Sequence, residues 1–347
     1  MKSVPLSRAN TLIPVVAFLD EVGVPVERGL VRSHLPPELL ENPGCYMTTL
    51  ANWAFIGRMA GEHGIEDLGL RIGNDRGPEL MGAALIAGVS RVPTLLQGLR
   101  NFSNLCRRES SGMRTWLSPD PSGLRFRLHK TFDIDTPGYH QTEWLGLMAM
   151  TTAVRLFAGR AWQPRTISLK SAERVPRLAR EVFPNARILI HQPAAFITVP
   201  TSLLGSSARS VWCPDVRPSR QRPGEIAPNA PAEDFAGALG QALQLYLEGG
   251  YARIELAADI TGMSVRSLQR ELAGAGFSYS ALLDRARFER ASQLLRETDA
   301  TSQEVAHASG YTDPSNFARA FRRLAGVSPR QYRAHQRTAN ASRSNGR

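Results

Sequence analysis

Two stretches of this chain repeat one pattern, Ala-x-x-x-Gly-[Met/Tyr]-[Ser/Thr], and that repeat leaves the C-terminal third very few ways to fold. The first copy reads Ala258-Asp259-Ile260-Thr261-Gly262-Met263-Ser264 and the second Ala306-His307-Ala308-Ser309-Gly310-Tyr311-Thr312, which places the two glycines 48 positions apart. In each copy a short apolar run of helical character stops at a glycine, the residue that enters the left-handed conformation of a tight turn without a Cβ penalty. One apolar residue later comes a Ser or Thr able to cap a new helix. Helix, glycine turn and capped helix in that order make a helix-turn-helix, and the spacing predicts two of them.

The residues between and around the copies extend this reading. Tyr279 to Glu297 is amphipathic, with Leu282, Leu283, Ala286, Ala291, Leu294 and Leu295 on its core face. A helix over those 19 residues spans about 28 Å at roughly 1.5 Å per residue. A rod of that size can hold two recognition helices about one DNA turn, roughly 34 Å, apart. The second unit begins with a capping box, Thr301-x-x-Glu304, and its second helix with Asp313-Pro314, an acidic N-cap before proline at the first helical position. Gly276-Phe277-Ser278 and Gly326-Val327-Ser328 close the two units, now 50 positions apart. Upstream, Phe235, Leu239, Leu243, Tyr246 and Leu247 share one helical stripe that ends at Gly249-Gly250.

Charge agrees with a polyanionic partner and says what kind of contact to expect. The net charge of +11 comes from 42 basic and 31 acidic residues, and only Lys2, Lys130 and Lys170 are lysines. The basicity is therefore arginine, the side chain suited to bidentate contact with phosphate and guanine. From Pro231 to Thr338, however, 13 arginines face 12 acidic residues, so binding there depends on where each arginine sits and little on bulk charge. The three cysteines, Cys45, Cys106 and Cys213, are far apart and form no Cys-x-x-Cys, which argues against a disulfide framework and a structural zinc site and fits a reducing cytoplasm. No stretch has the roughly 18 uninterrupted apolar residues of a membrane span. No Gly-x-x-x-x-Gly-Lys, His-Glu-x-x-His or Gly-x-Ser-x-Gly occurs and the seven histidines are scattered, so neither an enzyme nor a metal or other cofactor is expected.

The first two hundred residues predict a mixed α+β domain. Apolar residues recur at helical spacing over Leu12 to Leu40 and Cys45 to Met59, two helices separated by Pro43-Gly44. Asp67 to Gly73 then passes into a glycine-rich connection, and a further helix covers Thr94 to Cys106. Leu124 to His129 alternates apolar and basic residues, a half-buried strand paired in a hairpin with Met113 to Leu117 through Ser118 to Gly123. Glu143 to Phe157 is helical, and Thr166 to Leu169, Ile188 to Ile190 and Ala195 to Val199 are short strands. The expected organisation is an α+β effector-binding and dimerisation domain over residues 1–212 and a linker over 213–231. An all-α double helix-turn-helix domain follows over 232–338, and a disordered tail over 339–347. The linker assignment rests on five prolines among Arg217, Arg220 and Arg222.

Arg253-Ile254-x-x-Ala257 through Arg270, the linking helix, and Gly310-Tyr311-x-Asp313-Pro314-Ser315-Asn316-Phe317-x-Arg319-x-Phe321-Arg322-Arg323-x-x-Gly326-x-Ser328-Pro329-x-x-Tyr332-Arg333 closely resemble the DNA-binding domain of AraC/XylS-type transcription regulators. The N-terminal part is similar, more weakly, to the arabinose-binding-like effector domain of one subgroup, through Leu68-Gly69-Leu70-Arg71-Ile72-Gly73 and Phe196 to Leu204. The resemblance implies a cytoplasmic homodimer that binds double-stranded DNA in two adjacent major grooves, responds to an unknown small-molecule effector, engages RNA polymerase, and activates more often than it represses. It does not establish arabinose as the ligand.

Carried over by position, the first recognition helix runs from Ser264 to Ala273 and presents Val265, Arg266, Gln269 and Arg270 to the bases, with Ser264 and Ser267 towards phosphate and Leu268 and Leu272 in the core. Arg can grip guanine O6 and N7, and Gln adenine N6 and N7. The plainer alternative is that one of these arginines only meets phosphate or Glu271. In the second unit Ser315 and Asn316 face the bases beside Pro314, while Arg319, Arg322 and Arg323 position the helix on phosphate and Phe317 and Phe321 are buried. No effector-binding residues can be assigned: Trp53, Arg71, Trp116 and Trp144 are possible, but an aromatic at helical spacing is more often core. A rival reading is an architectural DNA-binding protein whose N-terminal domain only dimerises.

Overall fold

Helix α7 (Tyr139–Ala158) is buried on every side from Gln141 to Phe157, polar residues such as Glu143 and Thr151 included, and a helix covered all round lies at the centre of a domain. The computed structural model in which it lies describes residues 3–171, 174–208 and 230–344. Packing divides the chain into two units, one of Pro5–Gly44 with Thr48–Pro231 and one of Ala232–Arg347 with Met1–Val4 and Cys45–Met47.

In the first unit, α7 packs with α4 (Leu68–Asp75), α5 (Gly77–Ser90) and α6 (Leu95–Glu109) against one face of a five-stranded sheet. After the three-residue strands β1 (Leu6–Arg8) and β2 (Tyr46–Thr48) and helix α3 (Thr49–Glu62), the sheet is built from β3 (Met113–Asp120), β4 (Gly123–Lys130), β5 (Thr166–Ser168), β6 (Arg187–Leu189) and β7 (Ala195–Pro200), with helix α8 (Arg177–Val182) between β5 and β6. Its order is β3-β4-β7-β5-β6; the β5–β6 pair is parallel and the rest antiparallel. The unit is α+β as the sequence predicts, and the strands and the α6 and α7 helices lie where expected.

Three expectations need correction. The single helix expected from Leu12 to Leu40 is instead α1 (Ile13–Glu21), α2 (Val26–Arg32) and a 3-10 turn (Pro37–Leu40), because Gly23, Pro25 and Pro36 interrupt it. The hairpin turn is only Pro121-Ser122. Pro119 is tolerated on edge strand β3, and the Asp120 carboxylate accepts the Ser122 N–H at 3.3 Å and its hydroxyl at 2.9 Å, closing the turn locally. The glycine-rich connection after Gly73 is largely helical, interrupted at Arg76 between α4 and α5 and kinked within α5 at Gly82 (φ 73°, ψ 157°), and Gly69, Gly73 and Gly77 serve packing. A Cβ on Gly69 would stand 1.9 Å from the Gln141 carbonyl oxygen, one on Gly73 2.3 Å from Met148 Cβ, and one on Gly77 2.4 Å from Thr152 Oγ1. Spaced four apart, these three positions form a groove on α4 and the start of α5 into which α7 settles.

The same unit buries Lys130, which is 3% exposed. Its ammonium donates to the Tyr139 carbonyl at 2.8 Å and to Thr142 Oγ1, and lies 3.8 Å from the centre of the Trp53 ring and 4.1 Å from that of Tyr139. Burial pushes the Lys130 pKa well below the usual lysine range, against the opposing pull of the Glu143 carboxylate. Between the folded value and the unfolded value near 10.5, the unfolded chain binds more protons, so stability from this group rises with pH through that window. Wild type is therefore expected to gain stability over a Lys130→Met variant as pH is raised from about 7 to 10 in paired thermal melts, whereas parallel curves would contradict the burial effect.

The second unit is all-α: α9 (Phe235–Leu243), α10 (Ile254–Thr261), α11 (Val265–Gly274), α12 (Tyr279–Glu297), α13 (Ser302–Ala308), α14 (Pro314–Ala325) and α15 (Pro329–Ser344). The stripe that begins in α9 gives way at Gln244 to two 3-10 turns. Gly262 and Gly310 take φ of 66° and 78° and stop α10 and α13 at the two helix-turn-helix turns. The capping box at α13 is formed: Thr301 Oγ1 accepts the Glu304 N–H at 3.2 Å, and Glu304 accepts the Thr301 N–H at 2.6 Å, which holds its carboxyl below the usual range. Ala291, Leu295, Val305, Ala306, Phe317 and Phe321 form the core of the second helix-turn-helix. Of the expected linker, residues 213–229, with Arg217, Arg220 and Arg222, lie outside the described residues. Helix α15 continues to Ser344, into the expected disordered tail, since neither Gly nor Pro interrupts the chain between Gln331 and Asn345; residues 345–347 lie outside the described residues.

Candidate nucleic-acid interface

Helix α11 owes its orientation to its two ends and its two leucines. Ser264 caps it, its hydroxyl accepting the Ser267 N–H at 3.2 Å and donating to Ser267 Oγ at 3.0 Å. Leu268 and Leu272 are buried on the core side, where α11 meets α9. Arg266, Gln269 and Arg270 are consequently exposed together on the opposite side, with Val265 half-buried. Among the described residues none of the three makes a hydrogen bond or ion pair, with Glu271 or any other group, so two guanidiniums and an amide stand free beside one another. Ser264 and Ser267, expected at phosphate, are engaged with each other at the cap.

Helix α14 presents a different surface. Asp313 caps it by accepting the Ser315 N–H at 2.8 Å, and Phe317 and Phe321 bury its inner side. Ser315, Asn316, Arg319, Arg322 and Arg323 are exposed. The Asn316 carbonyl accepts a hydrogen bond from the Arg319 guanidinium, which ties the two exposed side chains together and uses one of that oxygen's two acceptor positions. Arg323 reaches back 3.2 Å to the carboxylate of Asp284 on α12. Arg322 has no such partner among the described residues.

The linking helix α12 is fastened to both units. The Tyr279 hydroxyl donates to the Ala252 carbonyl at 3.0 Å, and Arg296 donates to the Tyr332 hydroxyl at 3.0 Å. Arg333 binds the Leu295 and Ala300 carbonyls at the other end. Arg287 lies 3.8 Å from Asp284 and 5.3 Å from the centre of the Tyr311 ring. Sequence reasoning missed Asp284, Arg287 and Arg333, because each partner lies more than twenty residues away except in the local Asp284–Arg287 pair, which looks like any solvated helix face.

The possible effector residues do not converge. Trp53 packs against Lys130, Trp144 is fully buried in the core, and Trp116 is half exposed on edge strand β3. Arg71 pairs with Asp67 at 2.6 Å in a cleft of about 420 Å³ that Glu66 and Arg174 also line. Among the described residues there is no group of His, Cys, Asp and Glu able to hold a metal ion, and no helix is long and apolar enough to cross a membrane.

Two family models match separate parts of the chain. A helix-turn-helix domain model matches residues 257–335. A model described as the arabinose-binding domain of AraC transcription regulator, N-terminal, matches residues 23–207, more than half of the chain. The HTH-type transcriptional regulator VirS of Mycobacterium tuberculosis is 24% identical over 337 residues, covering 95% of this chain and 97% of that protein. The ornithine utilization regulator of Pseudomonas aeruginosa is 40% identical over 91 residues, 26% of this chain and 27% of its own length. Another Mycobacterium tuberculosis HTH-type regulator is 44% identical over 77 residues, so this chain matches only 22% of that relative's length. The crystal structure of the transcriptional regulator CdpR from Pseudomonas aeruginosa aligns with 92% of this chain and 96% of its own at 20% identity, with a TM-score of 0.39. These relatives are transcription regulators, not enzymes. With a double helix-turn-helix at one end and the arabinose-binding model matched over most of the other, the chain belongs to the AraC family of DNA-binding transcription regulators.

Proposed function

We propose that this regulator reads an operator through α11, anchors on it through α14, and is controlled by a small molecule bound in its N-terminal unit. The observation that carries the reading is the free cluster of Arg266, Gln269 and Arg270. Uncommitted side chains with guanine- and adenine-matching donors and acceptors are what base discrimination needs. Helix α14, with Asn316 held by Arg319 and Arg323 by Asp284, leaves Arg322 and the remaining donors of Arg319 for the operator, and arginines without a paired amide fit phosphate contact better than base reading. Double-stranded DNA with two contact blocks in adjacent major grooves is the partner this arrangement suits.

Selection from a randomised duplex library, followed by affinity measurements for selected and scrambled sites at fixed salt, tests the reading. Two recovered blocks and strong discrimination are expected; uniform binding would favour the architectural alternative. Control by a ligand, action as a homodimeric activator that contacts RNA polymerase, and a cytoplasmic location are the remaining parts of the proposal, supported by membership of the family. A thermal-shift screen of small metabolites on the full chain would identify a ligand by its stabilisation.

The proposed organisation keeps an effector domain at 1–212, a linker at 213–231 and a DNA-binding domain from 232. A fragment lacking residues 1–228 is expected to remain folded, sediment as a monomer, and bind the selected duplex more weakly than the full chain. Complete loss of binding by a folded fragment would overturn that boundary.

A further inference from the structure

The second recognition helix is held by more than its apolar core. Phe317 and Phe321 seat α14 against α12, with the Phe288 ring 5.0 Å from Phe321, and Phe317 and Phe321 both lie on the buried side of the helix, away from its exposed last turn. A polar cluster adds a second point of attachment. Asp284, on the first half of α12, holds Arg323 from the last turn of α14 at 3.2 Å. The same carboxylate lies 3.8 Å from Arg287, whose guanidinium stands over the ring of Tyr311, the residue that follows the turn glycine Gly310. One carboxylate thus bears on the far end of the recognition helix and, through Arg287, on the turn before it. Two separated attachments fix a rod's direction where one leaves it free to pivot.

Resting on the two-block reading proposed above, we infer that Asp284 is a positioning residue that sets the spacing between the base-contact blocks the protein accepts, by fixing α14 relative to α12. Arg323 on this view is a strut, and its contact with the operator backbone is secondary. A competing idea is that Asp284 merely withholds Arg323 from phosphate, in which case removing the carboxylate would strengthen binding.

Full-length wild type, Asp284→Ala, Arg323→Ala and the double variant should be measured on the selected duplex and on duplexes with one base pair added or removed between the blocks. For wild type the altered spacings should bind markedly more weakly. Each single variant is expected to reduce that spacing penalty about threefold, the scale an exposed ion pair sustains, and the double variant should be no more permissive than either single one. Ala is a good helix former, and circular dichroism confirms that each variant is folded. Unchanged spacing preference in the folded single variants, or tighter binding by Asp284→Ala, overturns the inference. If wild type itself selects a single block, the two-block reading falls first, and this inference with it.

Discussion

Replacing Arg266 by alanine is expected to erase most of the difference in affinity between a selected duplex and a scrambled one while leaving the protein folded. The side chain is exposed on α11 and makes no hydrogen bond or ion pair among the described residues, so its removal leaves no buried group unpaired. A lost bidentate contact to a base costs about 1–3 kcal/mol, or roughly five- to 150-fold in discrimination. Loss of a phosphate contact would instead weaken both duplexes alike and flatten the salt dependence. Titration of both duplexes at two salt concentrations therefore separates the roles. A uniform loss would move Arg266 from the base-reading set to the anchoring set.

The second large effect is expected at Gly310. Both Gly310 and Gly326 hold positive φ, at 78° and 73°, and each would cost an alanine about 1–2 kcal/mol on that ground alone. Their surroundings differ. A Cβ on Gly326 meets nothing within 4 Å, whereas one on Gly310 would lie 2.5 Å from the Leu247 carbonyl oxygen, a backbone atom with nowhere to go. Gly310→Ala is therefore expected to destabilise the second helix-turn-helix by about 3 kcal/mol or more, and Gly326→Ala by about half of that. Urea denaturation of the two variants side by side provides the measurement. Equal losses would mean that φ alone matters and that the close approach of Leu247 relaxes without cost.

The C-terminal frame was legible because its punctuation is local. A glycine at φ > 0 and a cap such as Ser264 or Asp313 act within a few residues of where they stand in the chain, so spacing alone locates α10, α11, α13 and α14. What could not be read was anything decided by distant partners. Arg323 looks identical in sequence to Arg322, yet one is held by Asp284, 39 residues away, and the other is not. Arg333 likewise looks like any helix-surface arginine, yet it binds the Leu295 and Ala300 carbonyls, 38 and 33 residues away. The helices around Gly73 escaped notice for a related reason: glycine breaks helices when judged alone, and only the presence of α7 explains why Gly69 and Gly73 sit inside α4 and Gly77 at the start of α5.

That glycine groove also limits how the N-terminal unit can move. Helices that slide past one another in a domain rearrangement need room at their contact, since a close-packed interface does not deform continuously. Along the α4–α7 seam there is almost none, because the carbonyl of Gln141 and the Cβ of Met148 already occupy the space a methyl group would take. Small shear is opposed there, and separation would open a cavity between the two helices. α4 and α7 thus form a stationary frame. Any rearrangement that a bound molecule produces in this unit has to be carried by other parts, with the short α1 and α2 helices and the sheet margins free to do what the seam cannot.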